Sequence, residues 1–343
     1  MKVKIAVVLV ITVACLAWVL WPVDWAQAWA ALVTARWALL APVVGLYLVA
    51  HALRAWRLQL LVGHDVGYRR MFAINTVGFL AINVIPARLG EFVRPFLLME
   101  REGVPFGRGM AAIVLERLLD LTMLLVFLMG LGVVVDLPAS GIQVPVGSGS
   151  VDVVHAGQKI VAAIVAAGAL AGLTLVVVGE PALRLMTRLP MGEKLAGFTR
   201  KLREGFLDLA RQPLRAVGLL AISLVVWIVT ITAVGISMAA FEGLPVGVGP
   251  AWATWTITIS GMTAIPTAGF FGAYELFCSA ALELWGVPES LAATFGIVLH
   301  LTQFGFIVVV GGAFLLLEGM SLRDLVVKLP APDAPEPADA PAG

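Results

Sequence analysis

Residues 83–98 read NVIPARLGEFVRPFLL, which sets Arg88, Glu91 and Arg94 inside sequence otherwise apolar enough for a bilayer. A charged side chain at bilayer depth costs at least about 2.5 to 3.5 kcal/mol, so it persists where it is paired, reaches an interface or lines a wet cavity. Pro86 removes a helical donor and clashes with the preceding turn, and Gly90 lets the backbone bend. The segment therefore reads as a re-entrant hairpin and not as one uninterrupted crossing. Irregular backbone at that depth is tolerated only against protein or water, so a break carrying three charges points to a substrate cavity.

The surroundings agree. Of 343 residues, 60% are hydrophobic and only 13% charged, with a mean hydropathy of +0.98, far from the roughly 25% charged residues of soluble chains. The fold class is an all-α polytopic membrane protein. A net charge of +1 offers no field for nucleic acid, and the basic residues fall in loops and helix ends without forming a reading face. Cys15 and Cys278 lie in apolar segments without metal-ligand spacing, so neither a disulfide framework nor a metal or other cofactor is expected.

Six full spans are predicted, at 3–22, 38–62, 109–135, 158–178, 216–240 and 290–317, with interrupted segments at 71–98 and 251–286. A cleaved signal peptide is the rival reading of the first span, since Ala26, Gln27 and Ala28 resemble a cleavage site. Its apolar run exceeds the usual roughly 7 to 15 residues and further spans come after it, which favours an anchor. Arg54 and Arg57, three apart at the end of the second span, are expected to snorkel to headgroups. Residues 136–157 contain no Lys or Arg and should lie outside. The connector 180–215, with Arg184, Arg188, Lys194, Arg200, Lys201, Arg203, Arg211 and Arg215, should be cytoplasmic and lie as a helix on the inner leaflet. Both termini are then cytoplasmic, in the plasma (inner) membrane. The membrane domain is 1–329, and the Pro- and Ala-rich tail 330–343 is expected to be disordered.

The span 109–135 buries Glu116, Arg117 and Asp120. Glu116 and Asp120 stand one turn apart on one face, with Arg117 rotated by about 100°. Two readings stay open: an internal salt bridge from these carboxylates to Arg88 or Arg94, or one of the two as a proton carrier. The two broken segments echo each other, with Ile85, Pro86, Gly90 and Glu91 in the first and Ile265, Pro266, Gly269, Gly272 and Glu275 in the second. Each lies between full spans, giving units at about 38–135 and 216–317. Arg69, Arg70, Arg101 and Arg108 place the first hairpin's ends inside, whereas 216–322 contain no Lys or Arg, so the units read as an inverted repeat. Corresponding Gly/Pro-interrupted segments in two halves mark a transporter's binding site near the midplane.

At these residues the chain resembles the flippase-like membrane domain family named after lysylphosphatidylglycerol synthase. The resemblance lies in the end of the second span (Arg54 to Leu61, with Trp56), the IPARLGEFVRPFLL block, the ERLLDL block at Glu116–Leu121 and the IPTAGFFGAYE block, and it runs over roughly residues 5 to 320. It implies two inward-pointing re-entrant hairpins around a lipid-accessible cavity and translocation of a lipid or polyprenol-linked headgroup. The positions it carries over are Pro86, Arg88, Gly90, Glu91 and Arg94, then Glu116, Arg117 and Asp120, then Pro266, Gly269, Gly272 and Glu275. Pro95 departs from the pattern and is expected to re-aim Arg94. The stretch after residue 330 is too short for the aminoacyl-transferase domain of true synthases, so aminoacylation is not expected.

The functional expectation is a non-enzymatic carrier for an anionic phospholipid or polyprenyl phosphate, held by Arg88, Arg94 and Arg117, with Glu91, Glu116, Asp120 or Glu275 neutralising the arginines of the empty site or carrying a proton. The alternatives are a membrane-embedded transferase acting on a lipid carrier and a noncatalytic membrane subunit. A homo-oligomer is compatible with all three.

Overall fold

The computed structural model describes residues 2–63, 66–85, 90–134, 143–146, 149–152, 159, 162–168, 170, 192–265 and 267–320. Pro86, Arg88 and Pro266, most of the expected span 158–178 and the tail 330–343 lie outside the described residues.

The chain opens with α1 (Lys2–Leu20) and α2 (Trp25–Thr34), between which it turns by 83°. Asp24 makes the corner by accepting from the backbone N–H of Ala26 (2.9 Å) and Gln27 (3.3 Å), satisfying donors that a helix start leaves open. Trp21, Trp25 and Trp29 stay exposed around it, a pattern suited to the membrane interface.

Four helices come next: α3 (Leu40–Val62), α4 (Tyr68–Val84), α5 (Val93–Glu102) and α6 (Phe106–Val134). Beyond them lie two short antiparallel strands, β1 (Gln143–Val146) and β2 (Gly149–Asp152), with Val144 opposite Val151. The sequence reads this stretch as a plain loop, so the architecture is helical with one added hairpin. A helical stretch at 162–168 and the amphipathic α7 (Gly192–Arg211) lead to a second set of four: α8 (Pro213–Met238), α9 (Val248–Ala264), α10 (Ala273–Glu283) and α11 (Glu289–Leu317). By length and composition three helices among the described residues suffice to cross a membrane, namely α3 with its preceding turn, α8 and α11, or four if the bent α1–α2 pair counts as one. The 29 residues of α6 match α11 in length, but α6 carries Glu116, Arg117 and Asp120.

The two sets share one plan. In order, their helices run 23, 17, 10 and 29 residues in the first unit and 26, 17, 11 and 29 in the second. Both 17-residue helices end identically. Ile85 and Ile265 turn into extended backbone while their N–H groups still reach the carbonyls of Ala81 (2.8 Å) and Gly261 (2.9 Å). The proline next in each sequence disfavours helical backbone in the residue before it.

Packing is reciprocal as well. α3 lies along α8, α4 packs on α11 and α9 on α6. Gly311 of α11 faces Leu80 and the Thr76 carbonyl of α4, while Gly130 of α6 faces Trp252 of α9, and small residues at such crossings let helices approach closely. Within the first hairpin, Gly90 abuts the backbone of Ala81, and Gly78 lies under the stem of Arg94. As one number rises the other falls, so α5 returns antiparallel along α4. In the second, Gly261 accommodates the ring of Phe277.

The breaks themselves meet. Gly269 (φ +57) faces the carbonyl of Asn83, and Gly272 (φ +84) backs onto Thr12, Cys15 and Leu16 of α1. The Ala268 N–H donates to Thr12 Oγ1 at 2.9 Å. The positive φ favours glycine at both positions.

Candidate functional site

Four elements of the first unit and one of the second build a single ionic cluster. Arg94, at the start of α5, crosses the face of Gly78, where any Cβ would collide with its Cγ. That passage aims the guanidinium at α6, where Nη1 donates to Glu116 Oε1 at 2.7 Å and to Asn75 Oδ1 at 3.4 Å. Pro95 does not turn it away. Glu91 Oε2 stands 3.7 Å from Arg94 Nη2 and 3.9 Å from Arg117 Nε. Arg117 Nη2 donates to Glu116 Oε1 at 2.9 Å, and its Nη1 lies 3.7 Å from Asp120 Oδ2.

The largest surprise is Arg57. Read in sequence as a snorkelling residue, it is instead buried in the cluster, with Nη1 2.7 Å from Asp120 Oδ1 and donating to Ser223 Oγ of α8 at 2.9 Å. Its Nη2 lies 4.0 Å from Glu116 Oε1. Arg54 belongs to the same environment, since it and Arg94 both address the ring of Phe79, at 5.4 and 5.2 Å. An arginine turns inward here because carboxylates and an aromatic face await it, a better partner set than a distant headgroup.

The cluster pairs Arg57, Arg94 and Arg117 with Glu91, Glu116 and Asp120, so the charges balance when all six are ionised. It is graded. The side chains of Arg57, Arg94 and Glu116 are 0% exposed, whereas Glu91, Asp120 and Arg117 are 26%, 30% and 38% exposed. The inner triad is sealed and the rim is partly exposed. Hydrogen bonding is unequal: Arg57 Nε and Nη2, Arg94 Nε and Nη2, Arg117 Nε and Asn75 Nδ2 are buried without a hydrogen-bond partner, against the acceptors Glu91 Oε2 and Glu116 Oε2. Among the described residues the surplus lies in donors, of which Arg57 Nη2, Arg94 Nη2 and Arg117 Nε stand 3.7 to 4.0 Å from carboxylate oxygens as ion pairs. Among the described residues no three His, Cys, Asp or Glu side chains converge as a metal centre.

Glu275 makes its contacts elsewhere. Its Oε2 accepts from the Gly272 N–H at 2.6 Å, closing the start of α10, and its Oε1 is 2.6 Å from His300 Nδ1 of α11. Tyr274 stacks on that imidazole at 4.4 Å and Phe271 lies 4.6 Å from it. The structure thus gathers Glu91, Arg94, Glu116, Arg117 and Asp120 from the predicted set and leaves Glu275 in a separate buried pair. Gly269 and Gly272 take positive φ at the second break, and Gly90 packs against the backbone of Ala81 at the first. Sequence reasoning missed Arg57, Asn75, Ser223 and the partnership of His300. The signal available for Arg57 was its i, i+3 spacing from Arg54, which fits a shared inward face as well as a shared outward one.

The model of the family described as the lysylphosphatidylglycerol synthase TM region matches residues 4–311. The chain belongs to this family. The match runs from α1 into α11 and includes every residue of the ionic cluster. A more distant likeness is to the protein named Glycosyltransferase AglD of Haloferax volcanii, 31% identical over 163 residues. That alignment covers 44% of this chain and 26% of the relative, so the chain spans well under two thirds of its length. No solved structure matches. Family and apolar helices together make this an integral, multi-pass membrane protein of a lipid-related family.

Proposed function

We propose that this member of the lysylphosphatidylglycerol synthase TM region family is a flippase-like carrier, without enzymatic activity, that moves an anionic lipid headgroup across the membrane. The observation that carries the reading is the buried cluster with its surplus of donors. A phosphate diester or monoester presents several acceptor oxygens and at least one negative charge, which suits guanidinium forks. Entry at the partly exposed rim beside Arg117 would let a phosphate take over donors of Arg94 and Arg117 while Glu91 and Glu116 release them. Because the cluster of three arginines and three carboxylates is already neutral, the displaced carboxylate takes up a proton as the phosphate arrives, so no bare charge is left in the low-dielectric interior.

The units' repeated plan and reciprocal packing support an inverted repeat, with the hairpins re-entrant from opposite sides and six full spans around them. The lysine- and arginine-free stretch from 216 to 322 supports cytoplasmic termini in an inner membrane. Substrate candidates are an anionic phospholipid and a polyprenyl phosphate. A transferase acting on a lipid carrier is the competing reading, favoured by the name of the Haloferax relative. The interleaving of guanidiniums among the carboxylates disfavours it, because a divalent ion bound for group transfer would be repelled.

The test is a flip assay in proteoliposomes with fluorescent phosphatidylglycerol and phosphatidylcholine. Wild-type protein should move the anionic lipid faster, and Arg117→Gln, at the half-exposed rim, should lower the phosphatidylglycerol rate about tenfold, the weight of one charge-assisted contact. Equal rates for wild type and variant would remove the cluster from the transport path.

A further inference from the structure

Residues 2–34 form an elbow that the ionic cluster does not use. α1 and α2 meet at 83°, and both are fastened to the second unit: α1 lies along α10, while α2 crosses the start of α11. There the Asp24 N–H donates to Ser290 Oγ at 2.9 Å. Val19, Val23 and Ala28 pack with Ala293 of α11 and Leu276 of α10 on the inner side of the elbow. Its outer side stays open. Trp18, Trp21, Trp25, Trp29 and Val33 are all exposed, Trp21 to 90%.

The open side of α2 is itself divided. At about 100° per residue, Trp25, Trp29 and Val33 fall on one edge and Gln27 and Thr34 on the other, with Ala28 turned toward the bundle. An apolar body with one N–H donor suits tryptophan to the layer where acyl chains meet headgroups. The aromatic edge also continues the lipid face of α1, because Val10 and Trp21 stand within about 20° of each other around that helix and both are exposed. Length settles which helix crosses. From Lys4 to Trp21 the chain rises about 26 Å, close to the roughly 30 Å of a hydrocarbon core. α1 crosses alone, and a helix turned by 83° from it runs along the surface.

We infer that α2 lies in the plane of one membrane interface, its tryptophan ridge partnered by the headgroup layer of a lipid leaflet, and that this level sets the second break near the bilayer midplane. Thr12, whose Oγ1 holds the Ala268 N–H at the break, lies about 13 Å down α1 from Trp21. Half of the hydrocarbon core is about 15 Å. A second ruler agrees: α10 climbs back from the break with 11 residues, about 16 Å of helix, and α11 starts beside the elbow at Ser290. Gly269 faces the Asn83 carbonyl, so the first break meets the second at the same depth. The elbow gives the paired breaks their level whether or not a lipid headgroup is moved there.

Depth is the quantity to measure. Val13→Cys, Ala26→Cys and Val33→Cys, each at an exposed position, are made singly in the full chain carrying Cys15→Ala and Cys278→Ala. Each is spin-labelled and placed in vesicles of phosphatidylcholine and phosphatidylglycerol, where collision with oxygen against a water-soluble nickel complex reads how deep the label sits. Labels on Ala26→Cys and Val33→Cys should agree within about 2 Å, and the label on Val13→Cys should lie about 12 Å deeper. A difference of about 10 Å between Ala26→Cys and Val33→Cys would mean that α2 carries on across the bilayer, and overturns the proposal. A label on Val13→Cys as shallow as that on Ala26→Cys overturns the midplane placement. Spin–spin broadening at Val33→Cys, with both reagents kept out, would assign the ridge to a second copy of the chain and overturns the lipid partner. A protein that shows the expected depths but flips no lipid removes the transport reading and leaves this one standing.

Discussion

The two four-helix units place a buried polar pair at the same structural position and fill it differently. In the first, Arg94 near the start of the short helix α5 reaches Glu116 on the long helix α6 at 2.7 Å; in the second, Glu275 near the start of α10 reaches His300 on α11 at 2.6 Å. The chemistry is swapped. The first pair continues into further guanidiniums and carboxylates and opens to a partly exposed rim. The second is enclosed by Tyr274, Phe271 and the α10 cap. One scaffold thus carries an exchangeable ionic network in one half and a closed polar contact in the other, which teaches that plan alone does not assign function.

The strongest way to break this contrast is to remove Arg94. Arg94→Ala leaves Glu116 0% exposed beside Arg57 and the rim Arg117 among the described residues, and loss of one partner of a buried pair costs about 3 to 5 kcal/mol. Denaturant unfolding in detergent should register that loss. The paired replacement Arg94→Met with Glu116→Leu should recover much of the stability, because hydrophobic substitutes for a whole buried pair are often neutral, while phosphatidylglycerol flipping stays abolished. Recovery of both stability and flipping would make the cluster purely structural.

Gly78→Ala tests the same pair without touching a charge. The new methyl strikes Arg94 near the root of its side chain, and overpacking of this kind costs about 1 to 3 kcal/mol. It should also lower the flip rate by displacing the guanidinium from Glu116. Gly45→Ala on α3, with open space around it, is the matched control and should change stability by less than about 1 kcal/mol. In the second unit, Glu275→Gln keeps an acceptor for the Gly272 N–H and a partner for His300. The expected loss is about 1 kcal/mol, the net worth of one hydrogen bond, with flipping retained. A transport defect as deep as that of Arg94→Met with Glu116→Leu would erase the difference between the halves and put the second pair in the pathway.

Much of this was legible in the sequence, for identifiable reasons. Prolines after Ile85 and Ile265 fix where helices stop, and charges in apolar surroundings advertise pairing, so the breaks and a pairing of the 116/120 carboxylates with Arg88 or Arg94 were readable. Arg57 was not, because snorkelling and inward pairing both suit a long flexible cation near a span end, and the choice rests on carboxylates supplied by α6, far along the chain. Glu275 was placed with the cluster on the strength of the repeated motif. Its partner His300 lies on α11, and only tertiary packing decides that an acid near a glycine turn caps its own helix and meets an imidazole.

The smallest expected effect concerns the far ends of the first hairpin. Arg70 at the start of α4 lies 3.1 Å from Glu102 at the end of α5, and the arginine side chain is 64% exposed. The second hairpin has no basic residue at either end and still brings α9 and α10 together. Solvent screens an exposed pair to about 0 to 1 kcal/mol. Arg70→Ala should accordingly leave both the unfolding midpoint and the flip rate close to wild type, despite joining the same residue types as Arg94 and Glu116. If Arg70→Ala costs as much as Arg94→Ala, then burial does not distinguish the two pairs, and the charge clasping the arms, absent from the second unit, is what the first hairpin requires.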